Sequence, residues 1–137
     1  MTIKPTYEEL EQRTRVLERE NAALVVNQQK LKVISENSCD WEYWINPERK
    51  LNFISPSCKR ITGYVAEEFE SDPKLLISIT RESEKKLIKR HLEEEFFATE
   101  ACQLDFCITT RQGEERYISH YCQPVFGEDG TFRYRTG

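Results

Sequence analysis

Residues Trp41–Tyr64 read WEYWINPERKLNFISPSCKRITGY, and this stretch decides the fold. Trp41, Tyr43, Trp44 and Ile45 are aromatic or β-branched types that suit a pleated surface. Asn46-Pro47 and the charges after it interrupt them before Leu51, Phe53 and Ile54 resume, which predicts a β-hairpin. Ser55 is placed to cap a following helix, Pro56 stands where a missing N–H costs nothing, and Gly63 is free to take the left-handed conformation that ends it. The helix is therefore short, about two turns.

Working outward, Asp72-Pro73 opens another short helix, and a longer one is expected from Arg81 to Phe97, with Leu87, Ile88, Leu92, Phe96 and Phe97 on one stripe. Leu104, Phe106 and Ile108 then alternate with polar neighbours, Arg111 to Glu114 form a turn, and a return strand carries Tyr117 to Val125. A second turn at Glu128-Asp129-Gly130 leads into a last strand from Thr131 to Tyr134. Strands at both ends with helices between them predict an α+β domain, an antiparallel sheet covered on one face.

Before Trp41 the chain is different in kind. Thr6 and Glu9 make a capping-box pair, no glycine or proline interrupts the segment to Ser35, and Leu10, Leu17, Leu24 and Leu31 recur every seven residues. With leucine at d, the a positions are Tyr7, Thr14, Asn21 and Gln28. Residues 1–33 thus read as a helix that forms a marginal, parallel, homodimeric coiled coil, with Asn21 fixing register. A lone helix folded back on its own domain is the alternative. Glu9 with Arg13 and Glu11 with Arg15 support the single helix by only ~0.2–0.5 kcal/mol each. No basic region precedes the leucines, so a DNA-binding zipper is not indicated. Leu31 and Ile34 are expected to pack on the following domain.

Composition narrows the function. The 137 residues carry a net charge of −4, which argues against a nucleic-acid surface. No apolar run reaches the ~20 residues of a membrane span and no secretion signal is present, so a cytoplasmic location without membrane insertion is expected. Cys39, Cys58, Cys102, Cys107 and Cys122 are odd in number and lack CxxC spacing. They read as free thiols, with no disulfide framework and no metal site. No nucleophile elbow, phosphate loop or HExxH motif occurs, and the chain is not expected to be an enzyme.

The succession LNFISPSCKRITGYVAEEF, the longer helix, and TTRQGEERYISHYCQPVFGEDGTF resembles PAS sensor domains of the bacterial S-box type over residues 34–137. The arm YEELEQRTRVLERENAAL is similar to the helical linkers of multidomain sensor kinases and cyclic-dinucleotide synthases. This resemblance implies a five-stranded sheet in the order 2-1-5-4-3 with a pocket between sheet and helices. It also implies a parent histidine kinase or diguanylate cyclase whose output domain lies outside this chain, and a last strand cut short. Where such domains often have His-Pro-Asp-Asp, this chain has Thr80-Arg81-Glu82-Ser83, so Thr80 or Ser83 must cap the longer helix.

The pocket candidates are Trp41, Tyr43, Phe53, Ile61, Tyr64, Phe69, Leu76, Leu87, Phe106 and Ile108, with His120 and Cys122 on the same strand face as Ile118. They either hold a small apolar or aromatic ligand or fill one another's space. His91 stands where some similar proteins place a haem ligand, and is otherwise a boundary residue. The Asn-Cys-Arg-Phe type of flavin-adduct motif is absent. The expected role is a non-catalytic sensory and dimerisation module, with a haem- or flavin-based redox or gas sensor as the alternative.

Overall fold

A computed structural model describes residues 3–137. The chain divides into two compact units, one ending at Asn37 and the other comprising Ser38–Gly137.

The first unit is a single helix, α1, Tyr7–Asn37. Its start is the expected capping box: Thr6 Oγ1 accepts the Glu9 N–H at 3.2 Å, and the Glu9 carboxylate accepts the Thr6 N–H at 2.8 Å. Because the cap occupies Glu9, its pairing with Arg13 is not formed, whereas Glu11 meets Arg15 at 3.2 Å. None of its residues is buried, and Leu10, Leu17, Leu24, Leu31 and Ile34 are all exposed.

In the second unit the chain runs β1 (Tyr43–Ile45), β2 (Leu51–Ile54), α2 (Ser57–Thr62), α3 (Ala66–Ser71), α4 (Leu75–Ile79), a 3-10 turn at Glu82–Glu84, α5 (Lys85–Glu93), β3 (Cys102–Thr109), β4 (Glu115–Phe126) and β5 (Phe132–Thr136). The strands form one antiparallel sheet in the order β2-β1-β5-β4-β3. The last strand in sequence is therefore the central one, pairing Ile45 with Arg135 on one side and Pro124 with Arg135 on the other.

The hairpin at Asn46 closes because its side chain accepts the Lys50 N–H at 2.9 Å while Arg49 turns to φ 62°. Gly63 ends α2 at φ 83°. Ser55, however, does not cap that helix. Its hydroxyl accepts the Glu42 N–H at 2.8 Å and bonds Ser57 Oγ at 2.7 Å, tying the start of α2 to the segment that leads into β1.

The largest departure is the longer helix, which spans only Lys85–Glu93 instead of 81–97. Glu93, Glu94 and Glu95 would place three negative charges at the negative end of the helix dipole. The chain turns there, and Phe96 leaves the helical stripe to pack on Phe97 and Phe132 at centroid distances of 4.8 and 5.6 Å. Neither Thr80 nor Ser83 caps α5: the Thr80 hydroxyl donates to Leu76 O at 2.7 Å. The turn before α5 instead protects the sheet edge, where Arg81 N–H donates to Cys107 O at 2.8 Å and the Glu84 carboxylate accepts the Cys107 N–H at 2.7 Å.

Helices α2–α5 cover one face of the sheet. Cys58, Phe69, Ile79 and Ile88 pack there against Ile54, Phe106 and Ile108 to make the core. The opposite face carries Trp44, Phe53 and Tyr134, with ring centroids 5.7 Å (Trp44–Phe53) and 5.8 Å (Trp44–Tyr134) apart.

Candidate functional site

Between the sheet and the helices lies an open cleft of about 1140 Å³. Trp41, Tyr43, Ile61, Phe69, Leu76, Phe106 and His120 line it, joined by Ile54, Leu92 and Ile118. Strand alternation puts Ile118, His120 and Cys122 on the inner face, opposite the exposed Tyr117 and Tyr121.

Five of the twelve pocket candidates lie elsewhere. Phe53 is on the outer face against Trp44, since its neighbour Ile54 takes the inward position. Leu87 is 36% exposed, because the inward stripe of α5 runs through Ile88 and His91 instead. Ile108 is wholly buried in the core. Tyr64 stands at the end of α2, with the Arg111 guanidinium 4.5 Å above its ring. Cys122 is fully buried in a polar cluster beside the cleft.

That cluster is what the sequence concealed. His91, expected at a boundary, is only 5% exposed. Its Nε2 lies 3.3 Å from Cys122 Sγ and its Nδ1 2.8 Å from the Glu95 carboxylate. His120 Nε2 is 2.6 Å from Tyr43 Oη, and the two imidazoles meet edge to face at 5.0 Å. Arg135, 3% exposed, reaches in from β5. Its Nε donates to Cys122 Sγ at 3.2 Å and its Nη2 to Cys102 Sγ at 3.1 Å, while Nη1 donates to Ala98 O at 2.9 Å. No carboxylate among the described residues forms an ion pair with it; carbonyls and thiols solvate the charge instead.

The electrostatics follow from burial. His120 is held neutral, its pKa pulled down to about 4 first by desolvation and then by its electrostatic interaction with the neighbouring His91 ring and Arg135 guanidinium. Desolvation likewise pushes the Tyr43 phenol far above its ordinary range, and it raises the Cys122 thiol against the opposing pull of Arg135. The Glu95 carboxyl is lowered by its hydrogen bond to His91. Among the described residues, two buried ring nitrogens have no hydrogen-bond partner: Trp41 Nε1 and His120 Nδ1. Arg135 was missed because a charged residue in RYRTG reads as solvent-facing. Only its pairing with Ile45, on the inner face, turns it inward.

Comparison with known proteins bears on the whole unit. The PAS fold family model matches residues 51–137. No curated protein matches the chain. Among solved structures, the PAS domain of an HTR-like protein from Haloarcula marismortui aligns with TM-score 0.65 at 16% identity, covering 87% of this chain and 95% of that one. A domain of a light and redox sensing histidine kinase from the same organism gives 0.60 at 13%, covering 80% and 94%. The N-terminal domain of a diguanylate cyclase with PAS/PAC sensor from Marinobacter aquaeolei gives 0.62 at 12%, covering 71% and 89%. With the strand order, the cleft and the matched residues in agreement, the chain belongs to the PAS fold family.

Proposed function

We propose that this chain is a non-catalytic sensory module of the S-box type from a bacterial signalling protein, and that the cleft receives a small aromatic or apolar ligand with one polar edge. The observation that carries this reading is the pair of unpartnered ring nitrogens, Trp41 Nε1 and His120 Nδ1, on residues that line the cleft beside the apolar Ile54, Phe69, Leu92 and Phe106. Protein interiors seldom leave such groups unpaired, since each costs about 1–3 kcal/mol. Two such groups beside one cleft favour an occupant over a core that merely fills itself.

Transmission runs through the start of the domain. Trp41 lines the cleft four residues after α1 ends, and the intervening chain is anchored where Ser57 Oγ donates to Asp40 O at 2.6 Å. A ligand that displaces the Trp41 indole therefore pulls on the residues joining cleft to helix. In this reading α1 is a parallel coiled coil whose polar a positions make it bistable, so a small bias alters register or angle. A histidine kinase or diguanylate cyclase output domain would read that change.

Native mass spectrometry of the purified chain tests both halves. A dimer carrying a retained small molecule is expected, with the ligand lost in Trp41→Ala and the dimer strengthened in the Asn21→Ile/Gln28→Ile variant. A ligand-free monomer that these substitutions leave unchanged would refute the proposal. The absorption spectrum of the same preparation separates an organic ligand from haem or flavin, which would give visible bands.

A further inference from the structure

We propose that His91, His120 and Cys122 form a binding site for a thiophilic, borderline-soft metal ion, of which Zn²⁺ is the fitting member. One ligand-capable atom from each lies within 4.8 Å of the other two. Zn–N bonds of about 2.0–2.1 Å and Zn–S bonds of about 2.3 Å at tetrahedral angles separate neighbouring ligand atoms by about 3.3–3.6 Å. His91 Nε2 and Cys122 Sγ already stand at 3.3 Å. The two sides that meet at His120, neither longer than 4.8 Å, come into that range with a movement of about 1 Å.

The outer partners of the two imidazoles point the same way. A histidine that ligates a metal commonly gives its other ring N–H to a carboxylate or similar acceptor, which fixes the tautomer and leaves the inner lone pair free. Glu95 does this for His91 at Nδ1, and Tyr43 Oη occupies Nε2 of His120. His91 Nε2 is thereby left facing Cys122, and His120 Nδ1 is buried without a partner among the described residues. A hydrogen-bonded network alone accounts for His91, whose Nε2 accepts from the Cys122 thiol. It leaves the second nitrogen orphaned, and a metal ion satisfies both.

The charges also fit. Binding replaces the Cys122 S–H by an S–metal bond and sends one proton to solvent, and the Arg135 Nε–H at 3.2 Å stabilises the thiolate that results. Cys102, the cross-strand partner of Cys122 and bonded to the same guanidinium, is the nearest further thiol for a fourth position. Water is the other occupant for that position. The ion takes the same His120 Nδ1 that was offered to the cleft ligand and would leave Trp41 Nε1 for that ligand, so the metal titration and the retained-ligand measurement read the two proposals separately.

The test uses the full chain, reduced and freed of metal, titrated with Co²⁺ as a spectroscopic substitute and with Zn²⁺ against a fluorescent chelator. Expected are one ion per chain, a thiolate-to-cobalt charge-transfer band, and release of one proton per ion. Cys122→Ser should abolish the band, and Cys39→Ser should change nothing. Tyr43→Phe keeps all three ligands, so it decides the matter should Cys122→Ser fail to fold. It should weaken binding about tenfold or more by releasing the His120 ring. Absence of saturable uptake, a cobalt spectrum without the sulfur band, or Zn²⁺ affinity unchanged in both Cys122→Ser and Tyr43→Phe would overturn the proposal.

Discussion

Replacing Gly63 by alanine, and comparing it with the same change at Gly113, separates two costs that a left-handed glycine hides. Both residues adopt positive φ, 83° and 86°, so each substitution forces a Cβ into a conformation that costs about 1–2 kcal/mol, offset in part by the lower entropy of the unfolded chain. At Gly113 nothing lies within 4 Å of the new Cβ, and the net loss should be about 1 kcal/mol. At Gly63 the Cβ would meet Arg111 Cβ at 2.8 Å and Gln112 Oε1 at 2.7 Å, against a normal carbon–carbon contact of about 3.5–4.0 Å. Gln112 swings away easily, but Arg111 does not. Its N–H is bonded to Thr62 O at 2.9 Å, its guanidinium covers Tyr64, and it pairs with Glu68. Overpacking of this kind adds about 1–3 kcal/mol, giving about 2–4 kcal/mol in total. For a unit of about 100 residues, 1 kcal/mol shifts Tm by about 4–8 °C. Thermal unfolding followed by circular dichroism should therefore show Gly113→Ala falling by about 5 °C and Gly63→Ala by about 10–20 °C. Equal shifts would refute the view that Gly63 is fixed by its approach to the β3–β4 turn.

Three further perturbations address the site and its frame. Arg135→Met should destabilise the domain by about 2–4 kcal/mol in urea unfolding, because the carbonyls of Phe96, Ala98 and Glu100 and two thiols lose their donor; an unchanged midpoint would show that the 94–101 turn needs no clamp. His120 gives a pH dependence in chelator-treated protein. Its folded pKa, about 4, lies below its ordinary 6.5, so the unfolded chain binds the proton first and stability is complete above 6.5 and lost as pH falls from 6.5 toward 4. The loss should reach at most about 3 kcal/mol, and an NMR titration midpoint above 6 for that imidazole would contradict it. Phe96→Ala should cost about 3–5 kcal/mol, since Phe96 is 3% exposed, whereas Phe97, at 52%, should cost far less; similar midpoints for the two variants would argue against the packing described.

What was legible in the residues divides along sequence separation. The Asn46 hairpin, the Gly63 stop and the Thr6 capping box are signals confined to a few neighbours, and each stands as read. The end of α5 was also local, written in three consecutive glutamates, but the apolar stripe beyond them outweighed it. The polar cluster was not legible. His91 and Cys122 are 31 residues apart and Tyr43 and His120 are 77 apart, so only strand pairing brings them together. Alternation correctly set His120 beside Cys122, yet gave no hint that an arginine from the neighbouring strand would share their face. Phe53 failed for a related reason: β2 is four residues long, too short for its alternation to reveal which parity faces the core.

The placement of β5 between β1 and β4 sets a condition on biosynthesis. Until Phe132–Thr136 have left the ribosome, the nascent chain has no strand with which to join the β1–β2 pair to the β3–β4 pair. Closure of the sheet and delivery of Arg135 to its thiols and carbonyls then occur in one late step. Mutations or stalling that delay those five residues expose both hairpin edges at once, and the damage would be read as aggregation of newly made chains rather than as reduced stability of finished ones.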